Sequence, residues 1–100
     1  MQRAVFRMRV KAGQETLYEE RHRAVWPDVE EACRRAGMTR YTIFMAGREL
    51  VAYFEAVDPP ETLTRLRADP VMHRWWAYMD PVMDEEPPDA HAYHEVFHLD

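Results

Sequence analysis

The fold of this chain depends on one stretch of its sequence, Leu50-Val51-Ala52-Tyr53-Phe54-Glu55-Ala56-Val57. Successive side chains of a β-strand point to opposite faces, so positions 50, 52, 54 and 56 share one face and positions 51, 53, 55 and 57 share the other. Both sets are apolar or aromatic apart from Glu55. This pattern predicts a strand that is buried on both faces.

The residues before this strand predict a hairpin and a first strand. Tyr41 to Met45 is a second apolar run, and the connection Ala46-Gly47-Arg48-Glu49 contains the glycine that a hairpin favours. We therefore expect these two strands to pair antiparallel. Near the N-terminus, Arg3 to Lys11 alternates apolar side chains with mostly basic ones, which indicates another strand.

An amphipathic helix is expected between the first strand and the hairpin. Apolar residues recur at three- and four-residue spacing from Leu17 to Ala36, and the pattern stops at Gly37. Pro27 lies inside this segment, and a proline there removes one backbone hydrogen bond. A kink or a break is therefore predicted just before Pro27.

Two helices and a last strand are expected after the hairpin. Asp58-Pro59 and Asp69-Pro70 each combine a capping carboxylate with proline in the first helical turn. The second of these helices is expected to reach about Met83. After a polar, proline-bearing loop, Tyr93 to Leu99 alternates again and predicts a final strand.

The predicted order β-α-β-β-α-α-β is typical of the α+β class and of a ferredoxin-like split βαβ unit. A chain of 100 residues has the length of a single domain, 1–100. In such a unit the helices cover one face of the sheet, so the second apolar face of strand 50–57 needs another sheet. A two-fold copy is the simplest partner, and we expect a homodimer.

Composition and charge restrict the partners. The formal net charge is −5, and no sustained stripe of Lys or Arg is present to neutralise a phosphate backbone, so nucleic acid is not an expected ligand. No apolar run approaches the roughly 20 residues of a membrane helix. The single cysteine, Cys33, allows no intrachain disulfide, and the N-terminus does not resemble a signal peptide. A cytoplasmic location is expected, with Cys33 packed in the core.

Tyr18, His22 and Trp26 are spaced four residues apart, which places them along one face of the predicted helix. An imidazole has a reference pKa of about 6.5, so His22 is a candidate acid or base at neutral pH. The spacing alone leaves open a core histidine whose hydrogen bonds are satisfied within the protein.

Indoles and a further phenol could line a carbohydrate site. Trp75 and Trp76 are adjacent on a helix and point about 100° apart, so one is expected to pack while the other faces a cavity. Sugars stack their C–H faces on indoles. Tyr41 is placed on the face of Ile43 and Met45, where its hydroxyl needs a polar partner. Core packing remains the alternative for either indole.

Metal and cofactor motifs are not found in the sequence. His94 and His98 lie four residues apart on the predicted last strand, roughly 13 Å along it, which is too far for two ligands of one zinc ion. Glycine-rich phosphate loops, Cys-x-x-Cys and His-Glu-x-x-His are absent. We expect chemistry without a metal or cofactor.

Four motifs together resemble the L-rhamnose mutarotase family over nearly the whole chain: Tyr18-x-x-x-His22-x-x-x-Trp26-Pro27, Tyr41-x-Ile43, Arg74-Trp75-Trp76-x-Tyr78-Met79 and Glu95-Val96-Phe97. The resemblance implies a dimeric α/β barrel in which His22 is the catalytic proton donor. It also implies that Tyr18, Tyr41, Trp75 and Trp76 bind the sugar. The chain departs from the family in its short hairpin connection, which puts the loop contacts in doubt.

The activity implied by the resemblance is interconversion of the α and β anomers of a free aldose, L-rhamnose. His22 is expected to protonate the ring oxygen while Tyr41, Tyr18 or a water completes the proton path. Two other functions suit the same fold. One is a haem-degrading or quinone-forming monooxygenase with His22 as an iron ligand, and the other is a non-enzymatic small-molecule-binding barrel.

Overall fold

The computed structural model describes all of residues 1–100 and contains a three-stranded antiparallel sheet packed against helices. The strands are β1 (Gln2–Arg9), β2 (Thr39–Ala46) and β3 (Glu49–Ala56). The helices are α1 (Glu15–His22), α2 (Pro27–Arg35), α3 (Pro59–Ala68) and α4 (Pro70–Met79), followed by a short 3₁₀ helix (Asp80–Val82). The predicted α+β class is confirmed.

β3 is the central strand and carries the core of the sheet. The strand order is β1-β3-β2, and β3 pairs antiparallel with both neighbours. The side chains on its inner face are fully buried: Leu50, Ala52, Phe54 and Ala56. On the outer face, Val51 is 39% exposed. The sequence predicted that both faces of β3 are buried. Within one chain, only the inner face is fully buried.

The hairpin expected between β2 and β3 is confirmed. Ala46 pairs with Glu49, so Gly47 and Arg48 alone form the turn. Gly47 adopts a positive φ of 60°, a backbone conformation that glycine reaches without steric strain. This tight turn sets the register in which β2 lies beside β3.

The segment from Leu17 to Ala36 forms two helices, and the break predicted at Pro27 is confirmed. α1 ends at His22, and α2 begins at Pro27. Proline has no N–H for the carbonyl four residues earlier, while its fixed φ suits the first turn of a new helix. His22 consequently lies at the last position of α1, where the chain bends.

α3 and α4 begin where the Asp-Pro pairs predict. The Asp58 carboxylate accepts a hydrogen bond from the Glu61 N–H at 3.3 Å. The Asp69 carboxylate accepts one from the Val71 N–H at 3.0 Å. Each bond satisfies one backbone donor that has no partner inside its helix.

The expected extension of the last helix to Met83 is wrong. α4 ends at Met79, and only a 3₁₀ helix continues the chain. Pro81 explains the end, because it has no N–H to bond the carbonyl of Ala77 as an α-helix requires.

The final strand predicted from Tyr93 to Leu99 is also wrong for the single chain, since these residues pair with no strand of the protomer. The free edge of β1 is partly occupied by the residues that precede them, and the Arg7 N–H donates to the Ala90 carbonyl at 3.0 Å. The segment is tied to β1 by an ion pair between Arg3 and Glu95 at 2.8 Å. Its apolar side chains remain largely exposed: Val96 (86%), Phe97 (79%) and Leu99 (80%). Alternation indicated an extended chain, but a strand also needs backbone hydrogen bonds to a neighbouring strand, and residues 93–99 make none.

Candidate active site

A cavity of about 960 Å³ between the inner face of the sheet and the helices contains all five residues singled out from the sequence. These are Tyr18 and His22 from α1, Tyr41 from β2, and Trp75 and Trp76 from α4. Thirteen of its 19 lining residues are hydrophobic, as is usual for a small-molecule site. A second cavity of about 760 Å³, between β1, α3 and the C-terminal segment, contains none of the five.

His22 is half-buried in this cavity and is held in one orientation. Its Nδ1 lies 3.1 Å from the carbonyl oxygen of Tyr18, one helical turn earlier. A carbonyl oxygen only accepts hydrogen bonds, so we assign the proton of the neutral imidazole to Nδ1. The other ring nitrogen, Nε2, then carries a free lone pair and makes no hydrogen bond to the protein.

The aromatic rings around His22 also fix the orientation of its imidazole. The imidazole stacks on the phenol of Tyr18 with ring centres 4.1 Å apart. Trp75 meets it edge-on, with ring centres 5.6 Å apart. Trp26 in turn packs edge-on against Trp75 at 5.0 Å. These rings form a continuous aromatic cluster, but the single helix face predicted for Tyr18, His22 and Trp26 is wrong at Trp26, which lies beyond the end of α1 and directly before α2.

Burial keeps His22 in its neutral form. Removal of water from around the ring lowers the pKa of His22, and the hydrogen bond to the Tyr18 carbonyl opposes this effect only in part. At neutral pH most molecules therefore have an unprotonated Nε2. The resting imidazole is a proton acceptor.

The phenols of Tyr18 and Tyr41, in contrast to Nε2 of His22, keep their protons at neutral pH. Burial raises the pKa of Tyr18 well above the ordinary value of a phenol. Burial likewise raises the pKa of Tyr41, whose ring packs against Phe6 at 6.4 Å and Phe54 at 6.5 Å, although 38% of the residue stays exposed. The cavity thus combines one proton acceptor with two hydroxyl donors.

The hydroxyl of Tyr18 is buried without a hydrogen-bond partner in the protein, and the residue is only 4% exposed. An unpaired buried hydroxyl costs about 1–3 kcal/mol, so such groups are uncommon unless another molecule satisfies them. Because Tyr18 lines the cavity, its hydroxyl is a suitable contact for a polar atom of a bound ligand.

The two adjacent tryptophans differ in burial, as expected from their angular separation. Trp75 belongs to the core and is 6% exposed, whereas Trp76 is 42% exposed. Both line the cavity, Trp75 as part of its inner wall and Trp76 at a more accessible position.

A set of sulfur-containing side chains in the cavity wall was not predicted as part of the site. The thiol of Cys33 is there, and burial raises its pKa, which disfavours the reactive thiolate. Five thioethers accompany it: Met8, Met38, Met72, Met79 and Met83. These residues come from several elements, so no spacing rule in the sequence connects them. Single residues did have local signals: the alternation of β1 for Met8, the apolar stripe of the first predicted helix for Cys33, and the helical spacing with Trp75 for Met72 and Met79.

The C-terminal histidines lie away from this cavity. His91 stacks on Phe6 at 5.5 Å and contacts the Glu86 carboxylate at 3.1 Å. No group of three or more His, Cys, Asp or Glu side chains is arranged to hold a metal ion. None of the helices combines the length and the apolar composition needed to cross a membrane.

A sheet with helices on one face, and an imidazole among phenols and indoles between the layers, defines a ferredoxin-like protein of the dimeric α/β-barrel type. The family model described as L-rhamnose mutarotase matches residues 3–99. The chain belongs to the L-rhamnose mutarotase family, and this membership does not favour the monooxygenase or the non-enzymatic alternative.

Individual relatives agree with the family match over their full length. The chain is 37% identical to an L-rhamnose mutarotase from Opitutus terrae and 35% identical to one from Burkholderia orbicola, covering 100% of both chains in each case. It is also similar to the crystal structure of an L-rhamnose mutarotase from Formosa agariphila, with a TM-score of 0.81, 25% identity and complete coverage of both chains. The tetracenomycin F2 cyclase from Streptomyces glaucescens shares the fold alone, with a TM-score of 0.61 and 18% identity over 99% of this chain and 96% of that one.

The unpaired hydroxyl predicts an unusual response to the substitution Tyr18→Phe. Because no hydrogen bond in the protein is lost, Tyr18→Phe is expected to leave the free energy of unfolding unchanged or to raise it by up to about 1 kcal/mol. Urea denaturation measures this change. Tyr53→Phe is the matched control, since its hydroxyl donates to the Glu55 carboxylate at 2.9 Å and its removal should lower the free energy of unfolding. An equal loss in both variants would contradict the prediction.

Proposed function

We propose that the protein is an L-rhamnose mutarotase that interconverts the α and β anomers of the free sugar by acid–base catalysis at His22. Family membership over residues 3–99 supports the reaction. The observation that carries the assignment to His22 is its fixed imidazole, with Nδ1 bonded to the Tyr18 carbonyl and Nε2 without a protein partner, in a cavity that is large enough for a monosaccharide.

The mechanism follows from the protonation states of the site. Neutral Nε2 takes the proton of the anomeric hydroxyl, the bond between the anomeric carbon and the ring oxygen breaks, and an aldehyde forms. The imidazolium of His22 then protonates the departing ring oxygen, which is the donor role predicted from the sequence. Both oxygens are bonded to the same carbon, so one nitrogen can serve both transfers. Rotation of the aldehyde and the reverse steps give the other anomer.

The remaining aromatic residues are assigned to sugar binding. Tyr18 and Tyr41 keep their protons and can donate hydrogen bonds to sugar oxygens, and Tyr18 has a hydroxyl that is free to do so. Trp75 and Trp76 offer indole surfaces for the C–H face of the ring. Holding the anomeric carbon beside Nε2 replaces a chance encounter in water with a fixed geometry.

A second copy of the chain is the proposed partner. The helices cover the inner face of the sheet, while the outer face exposes Phe44 (63%) and Val51 (39%). The C-terminal segment adds further exposed apolar residues, Val96, Phe97 and Leu99. Two copies that join through their outer faces bury both sheets as the pattern of β3 requires. For location we propose the cytoplasm, where a single free thiol, Cys33, stays reduced.

Substitution of the imidazole tests the proposed activity. His22→Gln should lower the rate of α–β exchange of L-rhamnose by about 10²–10⁴-fold, because general acid–base catalysis typically contributes that factor. Magnetisation-exchange NMR on the two anomeric proton signals measures the rate. His94→Gln, at an exposed histidine outside the His22 cavity, is the control and should leave the rate unchanged. Wild-type protein that does not accelerate exchange would refute the assignment.

The lowered pKa of His22 predicts the pH dependence. The value of kcat/KM should be constant around neutral pH. It should fall tenfold per pH unit below the pKa of His22, which lies under the ordinary imidazole value of about 6.5, because Nε2 becomes protonated there. The same exchange measurement across pH 4.5–8.5 gives the profile. Activity that instead increases as the pH falls through 6.5 would mean that the imidazolium is the required resting form.

The proposed dimer predicts the effect of a charge on the outer face. Phe44→Glu places a carboxylate in the apolar surface that two copies would bury, and it should convert the dimer to a monomer. Sedimentation velocity at several concentrations measures the mass. Thr64→Glu on the exposed surface of α3 is the control and should stay dimeric. A monomeric wild-type protein at all concentrations would overturn the dimer.

A further inference from the structure

The pairing of β2 with β3 contains a β-bulge in the wall of the cavity that contains His22. Thr42 lies opposite Tyr53, but Thr39 lies opposite Glu55, so the register shifts by one residue between them. Arg40 and Tyr41 therefore share the place opposite Phe54. A bulge of this kind bends the strand and increases its local twist.

Arg40 takes an unusual backbone conformation in this bulge. Its φ is 49°, and it is the one non-glycine residue of the chain with a positive φ. In the left-handed region the Cβ of an L-residue approaches the following carbonyl oxygen, which destabilises this conformation. Glycine avoids this clash, and asparagine tolerates the region better than most residues. The surrounding contacts must therefore hold Arg40 in place.

Three hydrogen bonds meet at the bulge and stabilise it. The Arg40 guanidinium donates to the Glu55 carboxylate at 3.2 Å. The Thr42 hydroxyl donates to the Arg40 carbonyl at 3.2 Å. The Thr39 hydroxyl donates to the Glu55 carbonyl at 3.1 Å, which bridges the strands beside the shift in register. β2 is an edge strand, so no further strand assists these contacts.

The residue directly after Arg40 is Tyr41, whose phenol lines the cavity opposite the helices that carry His22 and the indoles. The direction in which Tyr41 enters the cavity depends on the local bend and twist of β2. A misplacement of a ligand-contacting group by about 1 Å can cost up to about a hundredfold in rate. The backbone of Arg40 therefore controls the distance between the Tyr41 hydroxyl and the bound sugar, and the proposed chemistry depends on that distance.

We propose that Arg40 is a positioning residue, and that its left-handed backbone, held by Glu55, aims the Tyr41 hydroxyl at the bound sugar. This inference rests on the proposed mutarotase function. It assigns a role to the conformation of Arg40 and not to contact between its guanidinium and the substrate.

Three substitutions distinguish the effect of the backbone conformation from the effect of the positive charge: Arg40→Gly, Arg40→Asn and Arg40→Val. All three remove the guanidinium, but glycine and asparagine accept a positive φ whereas β-branched valine resists it. The expected result is a kcat/KM for L-rhamnose that is about tenfold lower in Arg40→Val than in Arg40→Gly or Arg40→Asn, measured by anomer-exchange NMR. Equal values in all three variants would overturn the proposal. If Arg40→Val does not fold, Arg40→Ala takes its place, with an expected difference of about threefold from Arg40→Gly.

The same comparison in a Tyr41→Phe background shows whether the effect passes through the Tyr41 hydroxyl. Without that hydroxyl, the difference between valine and glycine at position 40 should disappear, whereas a general loss of stability would lower the rate equally in both backgrounds. A difference that persists in the Tyr41→Phe background contradicts the proposal. Wild-type protein without exchange activity would refute the mutarotase function itself, which is a separate outcome.

Discussion

Burial of the inner face of β3 is the constraint on which the rest of the molecule depends. Leu50, Ala52, Phe54 and Ala56 have no exposed surface, and the helices are arranged to cover them. A one-residue slip of this strand would turn these side chains to the outer face, so their burial sets the register of both neighbouring strands. That register brings Tyr41 opposite Phe54 and therefore to the side of the sheet where α1 and α4 supply His22 and the indoles.

The same apolar surroundings set the chemistry of the site. Exclusion of water disfavours charge, so it lowers the pKa of His22 and raises those of Tyr18 and Tyr41. One environment thus prepares a neutral acceptor and protonated donors. The sulfur side chains of the wall contribute to this environment, since thioethers exclude water and adapt to irregular spaces. The unpaired Tyr18 hydroxyl and the left-handed Arg40 both depart from ideal packing, and both residues line the cavity.

Most elements of the fold could be predicted because their signals are local. The alternation of residues 50–57, the Asp-Pro caps of α3 and α4 and the break at Pro27 all depend on neighbours within a few positions. The end of α4 is a local signal as well, because Pro81 has no N–H for the carbonyl of Ala77. The last strand depends on a contact that is not local. The segment from Tyr93 to Leu99 alternates regularly, but it makes no backbone hydrogen bond to either edge strand of the sheet.

The sequence by itself determined the elements, the inner face of the sheet and the residue types of the candidate site, since periodicity, capping and motif spacing are properties of the linear chain. Only the tertiary structure decided that Tyr18, His22, Tyr41, Trp75 and Trp76 share one cavity, because they come from three elements brought together by burial of the core. It also decided which imidazole nitrogen is free and that Arg40 bends β2. Those facts depend on a hydrogen bond to a backbone carbonyl and on strand pairing, and neither is visible in residue order.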